Sequence, residues 1–223
     1  MSALVLIGAA AAFLLVGLAT KRTPAERALP SRIPEPPSSD LSRPRIAPRR
    51  PRRTRGEPSP EVLAAIGQVS REFPEIEVPF IFANVELETA GTFDPEQVVD
   101  TRGLSADEHR ERGTRPEVSV GLGGLNLGAD PRVQRNRIRL WGLSSAIDLL
   151  DPVKNLRVWA RMVRTILAEP DVAGVEGEQR WLRVRHYLVS GHSMDVPYRR
   201  REKVSRNFLR VYRIWKEAEA RTA

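Results

Sequence analysis

From Ser59 to the C-terminus the apolar residues recur at helical spacing, and capping residues mark where each run starts and stops. Ser59-Pro60-Glu61 supplies an N-cap, a proline suited to the first helical position and an early acid. Val62, Ile66, Val69 and Phe73 then share one face before Pro74 ends the run. Pro79 opens a second helix over FIFANVELET. Asp151-Pro152 starts a third, with Val153, Leu156, Trp159, Met162, Val163, Ile166 and Leu167 as its stripe and Pro170 beyond it. Trp181, Val184 and Leu188 mark a fourth, closed by Gly191. A fifth runs from about Pro197, with Val204, Phe208, Val211, Tyr212 and Trp215 facing inward. Between Gly91 and Gly142 glycines are frequent and periodicity is weak, which reads as loop. Nothing alternates long enough to demand a sheet, so the pattern predicts a mainly α domain over residues 59–223.

Two unlike segments precede that domain. Ala3–Thr20 is an unbroken run of apolar and small residues, and residues 1–20 carry no charged side chain. As a helix it would span roughly 27 Å, close to the hydrocarbon thickness of a bilayer. No cation precedes it, unlike the start of a cleaved signal peptide, so a retained single-pass transmembrane anchor over residues 1–20 is the favoured reading. Lys21–Pro60 contains ten prolines and little apolar material, which predicts a disordered, extended linker over residues 21–58.

Charge sharpens this division. The chain of 223 residues has a formal net charge of +8. Lys21–Gly56 holds eleven basic residues against three acidic ones, and Glu57–Ala223 holds 25 of each. The whole surplus therefore belongs to the linker, whose Arg43–Arg55 stretch suits anionic lipid or nucleic acid by counterion release, or serves simply as a solvated spacer. No aromatic residue interleaves those arginines, which argues against base-reading. Cysteine is absent, so no disulfide scaffold or thiolate metal site exists, and His109, His186 and His192 are scattered in sequence. No metal or cofactor is implied.

The informative chemistry lies in Val78–Pro95, VPFIFANVELETAGTFDP. A helix there ends in Glu88, and the chain turns at once through Thr89-Ala90-Gly91. A carboxyl at a helix C-terminus feels the negative end of the dipole, and partial burial in a cleft adds to the effect, so both favour retention of the proton that a general acid donates. Glu86 is the competing acid. Two residues along a helix is about 200° of rotation, so the two carboxyls cannot enter one cleft. His192-Ser193 with Asp195 is too compact in sequence for a catalytic triad, and GLGGLNLG lacks the strand and lysine of a phosphate loop.

With Ala83 five residues earlier, Glu88 followed by Thr89, and Gly-Thr-Phe-Asp-Pro after it, this stretch resembles the catalytic segment of the lysozyme-like lytic transglycosylases, the soluble-lytic-transglycosylase and goose-type superfamily. Three further blocks follow in that family's order. SVGLGGLNL resembles its groove-lining turn, with Ser119, Gly121, Leu122 and Asn126 in matching places. LLDPVKNLRVWAR resembles its Asp-Pro-x-x-Asn-Ile segment through Asp151, Pro152 and Asn155. WLRVRHYLVSG places Tyr187 on the groove tyrosine. The likeness covers about Ser59–Trp215. It departs where the family's groove glutamine falls on Gly124, or on Leu127 in an alternative register, and where the Asn after the tyrosine becomes Leu188.

The resemblance implies a lysozyme-like domain acting on peptidoglycan glycan strands, with Glu88 as the single general acid/base. Thr89, Ser119, Gly121, Leu122, Asn126 and Tyr187 would be substrate-binding residues. A hydrolase would commonly need a second carboxylate, for which Asp94, Asp100 and Glu117 are the candidates. The departures keep a non-cleaving peptidoglycan-binding or structural role as the alternative. Basic residues directly after residues 3–20 would place the domain in the cytoplasm by the positive-inside rule, away from peptidoglycan. Either the folded domain overrides that rule in a cell envelope, or the protein belongs to a phage or virus membrane or virion.

Overall fold

The computed structural model describes residues 56–112, 115–191 and 200–222. The expected anchor, nearly all of the linker, the His192-Ser193-Asp195 cluster and Pro197 lie outside the described residues. Among the described residues, no helix is long and apolar enough to cross a membrane.

The class is mainly α. Helix α1 (Pro60–Glu72) starts as its sequence dictates, with the Ser59 hydroxyl accepting from Val62 N and Pro60 in the first turn. Helix α2 (Val78–Glu88) follows a short turn. Strand β1 (Val98–Asp100), helix α3 (Ala106–Arg112), strands β2 (Val118–Val120) and β3 (Leu125–Asn126) and helix α4 (Pro131–Leu140) fill the stretch expected to be loop. A 3₁₀ turn, Ala146–Leu150, leads into α5 (Pro152–Leu167), capped by Asp151. Helices α6 (Pro170–Ala173), α7 (Gly177–Ser190) and α8 (Arg201–Thr222) complete the domain, and Gly191 ends α7 in the left-handed conformation.

The sheet corrects the expectation that none was present. β1, β2 and β3 form one antiparallel sheet in that order, with Val98 opposite Val120 and Ser119 opposite Asn126. Strands of two or three residues are too short to display alternation, so the pattern could not announce them. α3 was hidden for another reason: it buries no residue. α4 hides similarly, with four arginines in ten residues and no fully buried side chain.

The core forms where four helices meet. Phe80 of α2 is fully buried, stacked on Trp181 of α7 at 4.5 Å and on Trp159 of α5 at 5.6 Å, with Phe208 of α8 edge-on at 5.7 Å. Trp159 and Trp181 are therefore core residues, since neither exposes more than 1% of its surface. α1 packs along α5, and Arg157 and Arg164 of α5 bridge to Glu72 and Glu75 across that seam. These bridges are partly exposed and add little stability.

α8 is the main partner of α2 and grips it at both ends. Tyr212 donates to Glu77 at 2.7 Å, and Trp215 Nε1 donates to Glu86 at 2.8 Å while its ring stacks on Phe82 at 4.3 Å. Position and direction of α2 are thus fixed from outside, which matters because its last residue is Glu88.

One core group titrates. His186 on α7 is fully buried, with Nε2 at 2.9 Å from the Ser205 hydroxyl. Desolvation, aided by the charges of Arg201 and Arg185, pushes its pKa down from 6.5 to about 4. The unfolded chain then binds the proton more tightly than the folded one. Stability is full above pH 6.5, falls as pH drops towards 4, and levels off below, a loss of about 3 kcal/mol. Urea unfolding between pH 7 and pH 4 should show this slope, and His186→Gln should flatten it.

Candidate active site

α2 is apolar nearly all round because it is packed on most sides, with Phe80, Ile81, Ala83, Asn84 and Val85 all buried. Its two terminal acids point to different elements. Glu86 reaches Trp215 of α8, whereas Glu88 reaches Arg185 of α7 and the turn between β2 and β3. This is the divergence expected of residues about 200° apart on a helix.

Glu88 is held from two sides. Arg185 Nη1 donates to Glu88 Oε1 at 2.5 Å and also to Asn84 Oδ1 at 2.7 Å, so one guanidinium nitrogen spans positions four apart on α2. The Arg185 side chain is 10% exposed and that of Glu88 27%, so the carboxylate is the more accessible partner of a largely buried pair. The Glu88 carbonyl accepts from Gln97 Nε2 at 2.8 Å, which ties the helix end to the segment entering β1.

The other carboxylate oxygen lies against Gly124. A Cβ on Gly124 would fall 2.2 Å from Glu88 Oε2, and the residue has φ +58°, so both space and backbone demand glycine. In the register that sets Gly124 at the expected glutamine position, that position is therefore one where this chain needs no side chain at all. The same turn is set by Asn155 of α5, which is fully buried. Asn155 Nδ2 donates to the Val120 and Leu149 carbonyls at 3.0 and 2.9 Å, and its Oδ1 accepts from Gly123 N at 2.7 Å. Gly121, at φ +71°, must also lack a side chain, because a Cβ would fall 2.1 Å from Asn155 Nδ2.

The remaining residues expected at the site are distributed as follows. Thr89 is fully buried: its hydroxyl donates to Val85 O at 2.7 Å and accepts from Phe93 N at 3.1 Å, holding the turn in which Ala90, Gly91 and Phe93 have positive φ. Leu122 is likewise fully buried in the core. Both support the site from beneath its surface. Ser119 and Asn126 face one another across β2 and β3. Asn126 is tied down by Glu117 and Arg137 and accepts from Gly128 N at 2.6 Å. Tyr187 donates to Asp171 at 2.7 Å and lies two residues, about 200°, round α7 from Arg185.

Each second-carboxylate candidate has local partners. Asp94 caps Glu96 N, Asp100 makes a two-point contact with Arg102 that holds its pKa below the usual carboxylate range, and Glu117 binds Asn126. Among the described residues, no group of three or more His, Asp or Glu side chains is arranged to hold a metal ion.

Arg185 was missed in the sequence, although a signal was present. Trp181, Val184 and Leu188 make an apolar stripe, and position 185 falls within it, four residues after Trp181. A cation on the buried face of a helix requires a buried partner, and Glu88 with Asn84 is that partner.

Compared with protein-family models, with curated proteins and with solved structures, the chain finds no match. The functional reading therefore rests on this geometry and on the sequence blocks.

Two substitutions test the support of Glu88. Asn155→Asp keeps the shape but sets an oxygen against two carbonyls, and should lower stability by roughly 2–3 kcal/mol in urea unfolding. Gly124→Ala should cost only about 1–2 kcal/mol from its left-handed backbone. It should nonetheless displace the Glu88 carboxylate, detectable as a shifted Glu88 side-chain carboxyl resonance in a carbon-13 NMR spectrum.

Proposed function

We propose that this chain is a membrane-tethered peptidoglycan lytic transglycosylase with a lysozyme-like domain, cleaving the β-1,4 bond between N-acetylmuramic acid and N-acetylglucosamine. The observation that carries the reading is the placement of Glu88. It ends a buried helix, is partly exposed, and has Oε1 pinned by Arg185 and Oε2 lying on a glycine turn of a short antiparallel sheet. A helix-terminal glutamate followed by a glycine-rich turn and then by a helical half supports the lysozyme-like reading of the four sequence blocks.

In this mechanism Glu88 gives its proton to the glycosidic oxygen as the bond to the muramic C1 breaks, and positive charge develops on that sugar. The resulting carboxylate then takes the proton of the muramic C6 hydroxyl, whose oxygen closes on C1 as a 1,6-anhydro ring. No water is consumed, and the carboxyl is restored to its starting form. Oε2 is the oxygen suited to both transfers, because Arg185 occupies Oε1 and limits rotation of the carboxyl group. One pinned oxygen and one working oxygen amount to pre-orientation, which lowers the entropic part of the barrier.

The Arg185 contact also favours a second reading. A carboxylate engaged by a guanidinium is a satisfied structural bond, as suits a lysozyme-like domain that holds glycan or assembles a membrane or virion structure without cutting. Products distinguish the two. Digestion of peptidoglycan by the full chain should release muropeptides lighter by one water than hydrolysed ones, and Glu88→Gln should lower release by roughly 100-fold or more. Glycan binding with no release from the wild type would establish the second reading instead. The tether suits an envelope enzyme or a virion component, and detection in purified particles would decide for the latter.

A further inference from the structure

Away from Glu88, three arginines without ion pairs, Arg132, Arg135 and Arg139, recur at helical spacing along one face of α4. Pro131–Arg161 carries seven basic residues against two acidic ones, whereas the rest of Glu57–Ala223 is net acidic. On α4, Arg132, Arg135 and Arg139 are exposed, as is Arg161 on α5, and among the described residues none of the four enters an ion pair. At the C-terminal end of α4 and in the 3₁₀ turn that follows stand the two most exposed large apolar side chains of the described domain, Leu140 at 71% and Ile147 at 65%. Their chain neighbours Trp141 and Asp148 line an open hollow of about 200 Å³, together with Lys154, Val158 and Arg161.

Unpaired guanidinium groups and unburied aliphatic side chains in one stretch of the chain make complementary demands. The first need anionic oxygens, and the second need an apolar phase within a side chain's length of them. The boundary of an anionic bilayer meets both, with phosphates at the level of the arginines and acyl chains below. A nucleic acid would satisfy the arginines and leave Leu140 and Ile147 in water. A neutral glycan would stack on Trp141 and leave the charges unmatched.

Chain length favours the same occupant. Residues 21–58 separate the domain from the apolar run Ala3–Thr20, and in a polyproline II conformation a chain of that length reaches roughly 120 Å. Tethering at that range raises the effective concentration of bilayer at the domain, so that even weak surface contacts are populated.

We propose that the outward face of α4 and the adjoining Trp141 hollow seat the domain on an anionic lipid surface. The choice of occupant rests on the tether reading, not on the chemistry of Glu88. Because the chain has no cysteine, single sites can be labelled cleanly in the full chain. Leu140→Cys, Ile147→Cys and, as a reference on α7, Val189→Cys would each carry a fluorophore. The labelled proteins are reconstituted in vesicles of phosphatidylcholine, alone or mixed with phosphatidylglycerol, containing a lipid-borne quencher.

Labels at 140 and 147 should be quenched several-fold more in the anionic vesicles. The excess should vanish at high salt, and also when Arg132, Arg135, Arg139 and Arg161 are all changed to Gln, while the label at 189 responds to neither. Equal quenching at 140 and 189, indifference to lipid charge, or shielding of 140 by duplex DNA or soluble glycan strands but not by bilayers would overturn the proposal. Failure of the full chain to float with phosphatidylcholine vesicles would overturn the anchor instead. In that event the chain is added to preformed anionic vesicles from solution, and the labels at 140 and 147 still decide the surface contact.

Discussion

The surroundings of Glu88 depend on one buried amide. Asn155 sits inside the first turn of α5, where its side chain satisfies the carbonyls of Leu149 and Val120 and the N–H of Gly123. Those three groups belong to two separate segments, the β2 turn and the 3₁₀ turn, all away from water, and each would be costly to leave unpaired. The amide therefore fixes how near the Gly121–Gly124 turn comes to α5, and the turn in turn fixes where Gly124 meets the carboxylate. Glycine at positions 121 and 124 follows from this closeness, because a methyl group at either would overlap the atom it faces. Helix, turn and acid form a single chain of contacts, and the amide is its first member.

The second constraint comes from α8. By binding Glu77 and Glu86 it fixes the direction of α2 and commits one of the two terminal acids to a structural bond. Glu88 is then the acid left partly exposed, with one of its oxygens held by Arg185. The same ion pair supports both the catalytic proposal and its non-cleaving alternative. Geometry narrows the candidate to one carboxylate, and the products of a digestion choose between cleaving and binding.

The helices could be read from the sequence because their signals are local. Ser59-Pro60 and Asp151-Pro152 cap the helices they were expected to start, and Gly191 closes α7. The separation of Glu86 from Glu88 needed only helical geometry. The sheet was invisible because two- and three-residue strands carry no period, and their pairing is set by contacts distant in sequence. Arg185 was overlooked because its partner lies 97 residues away. Thr89 and Leu122 were placed in the groove by resemblance, and the structure buries both, so their neighbourhood was legible but their direction was not.

The turn after Glu88 has a vulnerability of its own. Phe93 is held at φ +54°, a conformation that costs a bulky residue on the order of 1–2 kcal/mol. Burial of its ring, edge-on to Trp215 at 6.2 Å, and the hydrogen bond to Thr89 offset that cost. Trp215 lies towards the end of the last helix and is only partly buried, whereas Phe80, Trp159 and Trp181 are enclosed. Gradual warming would therefore loosen the C-terminal turns of α8 first, and the backbone beside Glu88 would relax while the aromatic core was still intact. The turn after Glu88 would lose its order before the rest of the fold melted.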